Sequence, residues 1–288
     1  KIILSKNGNS LKNLMININK NMLDATIYCF SGHQKMLPEI LKVGYTPVGL
    51  GPSNFSSEWI RDNTLINISH KNRYYAELTF YYWFWKNILP KKKDGSWVGF
   101  CSYRELWGNK KKITESSKFG DVVLTEIPKE WETFDTIIGE PIYINNLKFS
   151  KLFKRGLWSL VRNPSALFKS RRNIRFHFDM WHGNGNLDKA IELLDRDDRE
   201  SFRKYTLENV SFNRGQMFVC RSKKIMDDYF TSVFPWLERC EKIFGLNQEL
   251  GRYEARMYGY LAERYMAYWF NKYTKPLLWP VIYFDIVN

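Results

Sequence analysis

Hydrophobic and polar positions alternate or cluster along this chain in segments short enough to be strands and long enough to be helices. Ala25 to Phe30 (ATIYCF) is a brief apolar, β-rich run that ends in Ser31, Gly32 and His33, a strand closed by a glycine turn. Tyr45 to Gly51 (YTPVGLG) repeats that form, and Ser96 to Tyr103 (SWVGFCSY) reads as a central strand with apolar residues on both faces. Asp121–Leu124, Thr136–Ile138 and Gln216–Arg221 continue the strand series. Between them, Ser69 is placed to cap a helix that runs on to Asn87 and is stopped by Pro90. Lys224–Ile243 and Arg256–Phe270 are further helices, and another starts near Asn186 or Asp188. Strands alternating with helices predict an α/β sandwich. Residues 1–24, polar and rich in Asn and Lys, predict a helix or arm ahead of one domain spanning 25–288.

Two helices break the usual amphipathic rule. From Tyr74 to Trp85 the aromatic residues leave no polar face, and a helix apolar all round is buried. Glu77 and Lys86 therefore enter or border a low-dielectric interior, where an unpaired charge costs several kcal/mol. They need partners or a ligand. In Arg256–Phe270 (RMYGYLAERYMAYWF), Arg256, Tyr260, Glu263 and Ala267 share a face by their spacing, so charge is brought to one side of a second aromatic helix.

Composition narrows the chemistry. The chain has 288 residues, 44% hydrophobic and 17% aromatic, enough for a sizeable core. Its eleven Trp and seventeen Tyr suit sugar or base recognition by stacking plus a hydrogen bond, and equally a Trp-rich core. A formal charge of +14 favours anionic partners. Nucleic acid is the disfavoured one, because no zinc-ligand spacing, RNA-recognition signature or basic heptad is present. Four scattered cysteines, at 29, 101, 220 and 240, form no close pairs and read as buried thiols. With no signal peptide and no uncharged apolar run of about 18 residues, the expected setting is the cytoplasm.

Three further segments carry candidate chemistry. His177, Asp179 and His182 have a loose metal-like spacing, but His177 and Asp179 alternate with Phe176 and Phe178 as strand residues do, and no third ligand fits. Asp195, Asp197 and Asp198 read as a solvated helix face. From Lys148 to Arg175 there are nine basic residues and no acidic one. Within residues 147–175, Phe149, Leu152, Phe153, Leu157, Leu160 and Val161 share one helix face. That layout fits a helix lying at an anionic membrane surface, or one packed on the domain core with its basic face in water.

The strand ending at His33, then YTPVGLG, INISHKNRYYAELTFYYWFWKN, VGFCSYRELW, QMFVCRS and RMYGYLAERYMAYWF, in that order, together resemble a bacterial capsular and O-antigen polysaccharide family. That family was first catalogued as a domain of unknown function and is placed among nucleotide-sugar-dependent glycosyltransferases. The resemblance covers about residues 25–270. It implies a GT-A-like, Rossmann-like α/β fold and transfer of a hexose, galactose in pyranose or furanose form first, from a UDP-sugar to a glycan or lipid-linked glycan acceptor. Three positions, Ser102, Glu105 and Gln216, depart from the family pattern. Ser102-Tyr103-Arg104-Glu105 stands where His-Tyr-Arg-Arg is usual, and Gln216 stands where an Asn opens the later strand.

Such a transferase must hold a diphosphate, stabilise its charge as the sugar leaves, and deprotonate an acceptor hydroxyl. The donor-binding candidates are His33, Asp62, Asn67, Lys71, Asn72, Tyr103, Arg104, Arg256 and Arg264. Glu263 is the first candidate for the base and Glu77 its rival. No Asp-X-Asp follows the central strand, so no residue is assigned to a metal. Lys71 and Arg104, joined by Arg256 or Arg264, are then expected to take over part of the ion's work on the diphosphate, with Mn or Mg on the diphosphate and one carboxylate such as Glu105 as the alternative. The rival to an enzyme is a non-catalytic carbohydrate- or nucleic-acid-binding module, which aromatic content and basic charge alone would satisfy.

Overall fold

Alternation along the first strand decides where the core layers go. In β1 (Ala25–Ser31), Tyr28 and Phe30 face one side and Ile27 and Cys29 the other, and each set joins a separate buried cluster. The structure, a computed structural model, describes residues 25–113, 119–146, 149–249, 251 and 255–284; the expected arm at 1–24 lies outside them. In chain order β1 is followed by α1 (Leu37–Lys42), β2 (Thr46–Gly49), β3 (Ile60–Arg61), α2 (Asn72–Tyr75), α3 (Leu78–Asn87), β4 (Trp97–Ser102) and β5 (Glu105–Trp107). Next come α4 (Phe119–Val122), β6 (Thr136–Gly139), β7 (Pro141–Tyr143), α5 (Phe149–Arg162), α6 (Ile174–His182), α7 (Asn186–Glu192) and α8 (Arg196–Glu208). The last elements are β8 (Ser211–Asn213), β9 (Phe218–Cys220), α9 (Lys223–Phe244), α10 (Met257–Tyr273), β10 (Leu277–Trp279) and β11 (Val281–Tyr283).

The main sheet has the strand order β10-β6-β9-β4-β1-β2-β3, with β5 bridging β4 and β11. β1 pairs in parallel with β2 on one side, Tyr28 opposite Thr46, and with β4 on the other, Tyr28 opposite Phe100. β9 runs antiparallel between β4 and β6. The chain thus leaves β1 in one direction and returns to its other edge with β4. In an open α/β sheet, that reversal of strand order marks the place where ligands bind, outside the carboxyl ends of the strands.

On one face, α3 lays Phe80 and Phe84 against Tyr28, Phe30 and Phe100, with ring centroids 5.2–5.6 Å apart. Phe80, Phe84 and Phe100 are fully buried, and truncating any one to Ala removes about 3–5 kcal/mol of packing. α9 and α10 complete this layer, α9 being capped by the Ser222 hydroxyl, which accepts from the Ile225 amide. On the opposite face Ile27 and Cys29 pack with Met36, Ile40, Trp97 and Trp131. All four cysteines are buried and free.

Four expectations about local structure are corrected. The helix from Ser69 to Asn87 is broken: Ser69 opens a 3-10 turn over 69–71 without capping it, and Ala76 adopts φ +50° and ψ −130° between α2 and α3. No Gly or Pro announces that break; Asn72 makes it, donating from Nδ2 to the Ala76 carbonyl at 2.9 Å and to the Thr79 hydroxyl at 3.2 Å. Asp121–Leu124 is not a strand, since α4 ends at Val122 and Val123 forms one isolated bridge to Gly108. His177 and Asp179 lie in a helix, α6, whose N-cap Asn173 accepts from the Phe176 amide. The period of two arises because α6 is wedged between clusters, Phe176 and Met180 on one side and Phe178 on the other. Finally, Asp198 is not solvated. It accepts from Tyr265, Tyr268, Tyr273 and Lys272 at 2.7–2.9 Å, tying α8 to α10.

The basic segment does form a helix, α5. Of its apolar stripe, Leu160 is buried with Ala166, Phe176 and Met180, whereas Leu157 and Val161 are exposed. Leu147 and the neighbouring Lys148 lie outside the described residues.

Candidate functional site

The strand reversal at β1 carries a cleft of about 610 Å³. Its floor and walls come from the end of β1 (Ser31, Gly32, His33), the loop after β2 (Gly51, Ser53), the break between α2 and α3 (Asn72, Glu77), and the β4–β5 turn (Tyr103, Arg104, Glu105). The loop before β9 adds Arg214, Gly215 and Gln216, α10 and its N-cap add Arg256, Tyr260 and Glu263, and Tyr283 closes one side from β11. Residues far apart in sequence meet because the sheet delivers all these strand ends to one edge.

Local chemistry fixes each wall. The Ser31 hydroxyl donates to the His33 carbonyl and accepts from the His33 amide, at 3.0 and 2.9 Å, which holds the turn after β1. The loop after β2 is pinned by Arg61, which donates to the Gly51 and Ser53 carbonyls at 2.7 and 3.0 Å. Gly215 has φ +85°, and a Cβ there would lie 2.7 Å from Glu105 Oε2, so any other residue is strained at this position and must displace the Glu105 carboxylate. Gln216 follows with φ +51°, an uncommon conformation for a side chain-bearing residue. Two non-glycine residues with positive φ, Ala76 and Gln216, therefore border one cleft, the kind of backbone strain that gathers at functional sites.

Three carboxylates and three arginines face this space, and they are not equivalent. Glu263 accepts from the Gly215 amide at 2.7 Å with one oxygen and from the Arg264 guanidinium with the other. Glu105 is bound to Arg214 at 2.7 Å; burial raises its pKa while Arg214 pulls it down. Glu77 has the weakest support, a 3.4 Å contact from Gln216 Nε2, and burial pushes its pKa up to about 7 against the pull of Arg256. Gln216 spends its amide on the Gly259 carbonyl at 2.8 Å, while its buried Oε1 and the buried Nε of Arg256 find no partner among the described residues. Both atoms can form a hydrogen bond with a ligand or a water in the cleft.

Behind the lining, Arg264 is buried between Glu263, His177 Nδ1 at 3.2 Å and the Phe212 ring. Burial and this guanidinium drive the pKa of His177 down to about 3 and that of His182 down to about 2. Both imidazoles are therefore neutral at ordinary pH, and His182 stacks on Tyr260 of the cleft wall with centroids 4.1 Å apart.

Of the residues selected by sequence, the cleft gathers His33, Asn72, Glu77, Tyr103, Arg104, Arg256 and Glu263. Four are used elsewhere. Lys71 is bound to Glu241 at 2.7 Å, and Asn67 holds its own loop through the Leu65 carbonyl and the Ser69 hydroxyl. Asp62 is buried away from the lining, its pKa raised by burial against the Thr79 hydroxyl, and Arg264 stands one layer back. Sequence reasoning passed over Arg214, Gly215 and Tyr283. An Arg-Gly pair just ahead of a strand is a turn signal that marks the first two; nothing local marks Tyr283.

The sequence matches a family model described as a domain of unknown function, DUF4422, over residues 27–275. The chain belongs to the DUF4422 family. The matched span begins in β1 and ends just past α10, so it takes in every wall of the cleft except Tyr283. The DUF4422 chain is also similar to the apo structure of WbbM, a bifunctional glycosyltransferase, with a TM-score of 0.60 and 19% sequence identity over 93% of this chain. It spans 46% of that longer chain. The fold is thus the GT-A-like α/β arrangement. No curated protein matches the sequence.

Proposed function

We propose that this DUF4422 chain is a nucleotide-sugar-dependent glycosyltransferase that moves a hexose from a UDP-sugar to a surface-polysaccharide acceptor, with galactose, pyranose or furanose, as the first donor to try. The observation that carries this reading is a single cleft at the strand reversal of a GT-A-like sheet where Arg104, Arg214 and Arg256 line the same space as the proton-accepting Glu77. Arginines hold diphosphate oxygens through their paired N–H groups, and so offset the charge that grows on the leaving nucleotide. Tyr103 and Tyr260 place aromatic side chains with a polar tip on the cleft walls, the residue type that meets a base or sugar.

Glu77 suits the base better than Glu263. A base must be free to take a proton near working pH, and a carboxyl titrating at about 7 with an open hydrogen-bonding environment meets that need. Glu263 already has both oxygens engaged, so its role in this reading is to hold Gly215, and with it the Arg214–Gln216 loop. Charge stabilisation is assigned to the arginines. Glu105, which already carries Arg214, is the carboxylate that would share a Mn or Mg ion with the diphosphate, and no group of three or more His, Cys, Asp or Glu among the described residues is placed to hold an ion without it.

Thermal shift against a panel of UDP-hexoses, followed by UDP release in the presence of glycan acceptors, tests this reading. Stabilisation by at least one donor and its loss in Arg214→Ala are expected. A protein that no nucleotide sugar stabilises, with or without Mn or Mg, is not this enzyme. Turnover that survives chelator supports the arginine assignment, and abolition with rescue by Mn or Mg moves the charge to an ion on Glu105.

A further inference from the structure

The described residues expose fifteen large apolar side chains, and five of them, all away from the cleft, fall within twelve positions: Leu157, Trp158, Val161, Leu167 and Phe168, at 51, 74, 63, 46 and 71% exposure. Trp158 and Phe168 are the most exposed aromatic side chains among these fifteen, on an element and a turn that adjoin. Their presentation is built into the fold. Leu160 anchors α5 on α6, and Arg172, fully buried, donates to the Ala166, Leu167 and Asn145 carbonyls at 2.9, 3.0 and 3.2 Å, which fixes the turn that holds out Leu167 and Phe168. Exposed cations Arg162, Lys169 and Arg171 stand among them; no Asp or Glu occurs from Phe149 to Phe178, and Asp179, beside Arg162, is the acid that borders the patch.

We propose that this edge docks the protein on an anionic lipid bilayer, Trp158 and Phe168 entering the headgroup region while Arg162, Lys169 and Arg171 meet the phosphates. A surface with aromatic side chains projecting among cations, bordered by the single half-buried carboxylate Asp179, has the charge of a bilayer's complement and the amphipathic rings that favour a membrane interface. Each cation near an anionic leaflet strengthens binding by about fivefold, and salt weakens it. This docking does not depend on the transferase reading.

Flotation with vesicles of equimolar phosphatidylcholine and phosphatidylglycerol, compared with phosphatidylcholine alone, tests the proposal. The intact protein should float with the anionic vesicles only, and high salt should release it. Lys169→Glu with Arg171→Glu, and separately Trp158→Ala with Phe168→Ala, should each weaken binding at least about tenfold. All four positions are exposed and lie outside the cleft, so the response of both variants to UDP-hexoses in thermal shift should match that of the parent. The proposal is overturned if the intact protein stays soluble with anionic vesicles at low salt, or if the variants float like the parent. It is also overturned if sedimentation shows a dimer that Trp158→Ala dissolves, because the patch would then cover a second copy. Failure of every nucleotide sugar to bind, with flotation as expected, would refute the transferase reading and leave this one standing.

Discussion

Asp198 and Glu77 are both acids drawn into an aromatic interior, and the protein treats them in opposite ways. Burial opposes ionisation of Asp198, yet hydrogen bonds from Tyr268, Lys272, Tyr265 and Tyr273 hold its carboxyl below the usual carboxylate range. Glu77 has no such set of donors, and burial lifts it to about 7. A buried acid whose lone pairs are all matched is a fastener between helices. One left under-supplied, beside the open Oε1 of Gln216, is available to a ligand.

The largest expected effect breaks the cleft side of this contrast. Glu77→Gln should lower kcat by about 10²–10⁴-fold while the protein stays folded, as loss of a general base does. Normal turnover in that variant would return the role to Glu263, which Glu263→Gln would then reveal. On the other side, Asp198→Asn strips charge from a network that includes Lys272 and should cost about 2–3 kcal/mol of stability, read from denaturant midpoints, with turnover of the folded fraction unchanged. A loss of activity without a loss of stability would place Asp198 in the site instead. Arg214→Ala should weaken donor binding by about tenfold or more, measured by calorimetry, since it removes a charge-assisted contact and leaves Glu105 without its cation.

The smallest effect is on stability against pH. Folding raises the pKa of Glu77, so its protonated form favours the folded state. That contribution is complete at pH below the usual carboxylate range and is lost as pH rises to about 7 and beyond. Glu77→Gln should therefore lose less stability than the parent between mildly acidic and mildly alkaline pH, by about 1–2 kcal/mol after allowance for the part of the group that water reaches. An identical pH dependence in the two proteins would mean that Glu77 titrates like an ordinary surface carboxylate.

The same contrast shows how far the sequence could be read. β1, β4, α9 and α10 were legible because each writes its burial in an unbroken pattern, and the resemblance supplied the sheet that joins them. Glu77, Arg104 and Arg256 were legible as charges that an aromatic helix or a strand end would bring inward. The break at Ala76 was hidden because a side chain, Asn72, makes it through the Ala76 carbonyl and not a Gly or Pro. In α6 the pattern itself misled, since a helix buried on two sides loses its period of 3.6 and imitates a strand. Asp198 was misread because its partners Tyr265, Tyr268, Lys272 and Tyr273 are about seventy residues away. Lys71 was assigned to a diphosphate and instead meets Glu241, a pairing that only the docking of α9 creates.

The central claim is that Glu77 is the titrating base of a nucleotide-sugar cleft, and the pH profile of kcat/KM with the UDP-hexose that the thermal-shift panel identifies tests it most directly. A rising limb with a midpoint at about 7 is expected in the parent and is absent from the residual activity of Glu77→Gln. A limb that persists unchanged in Glu77→Gln would contradict it.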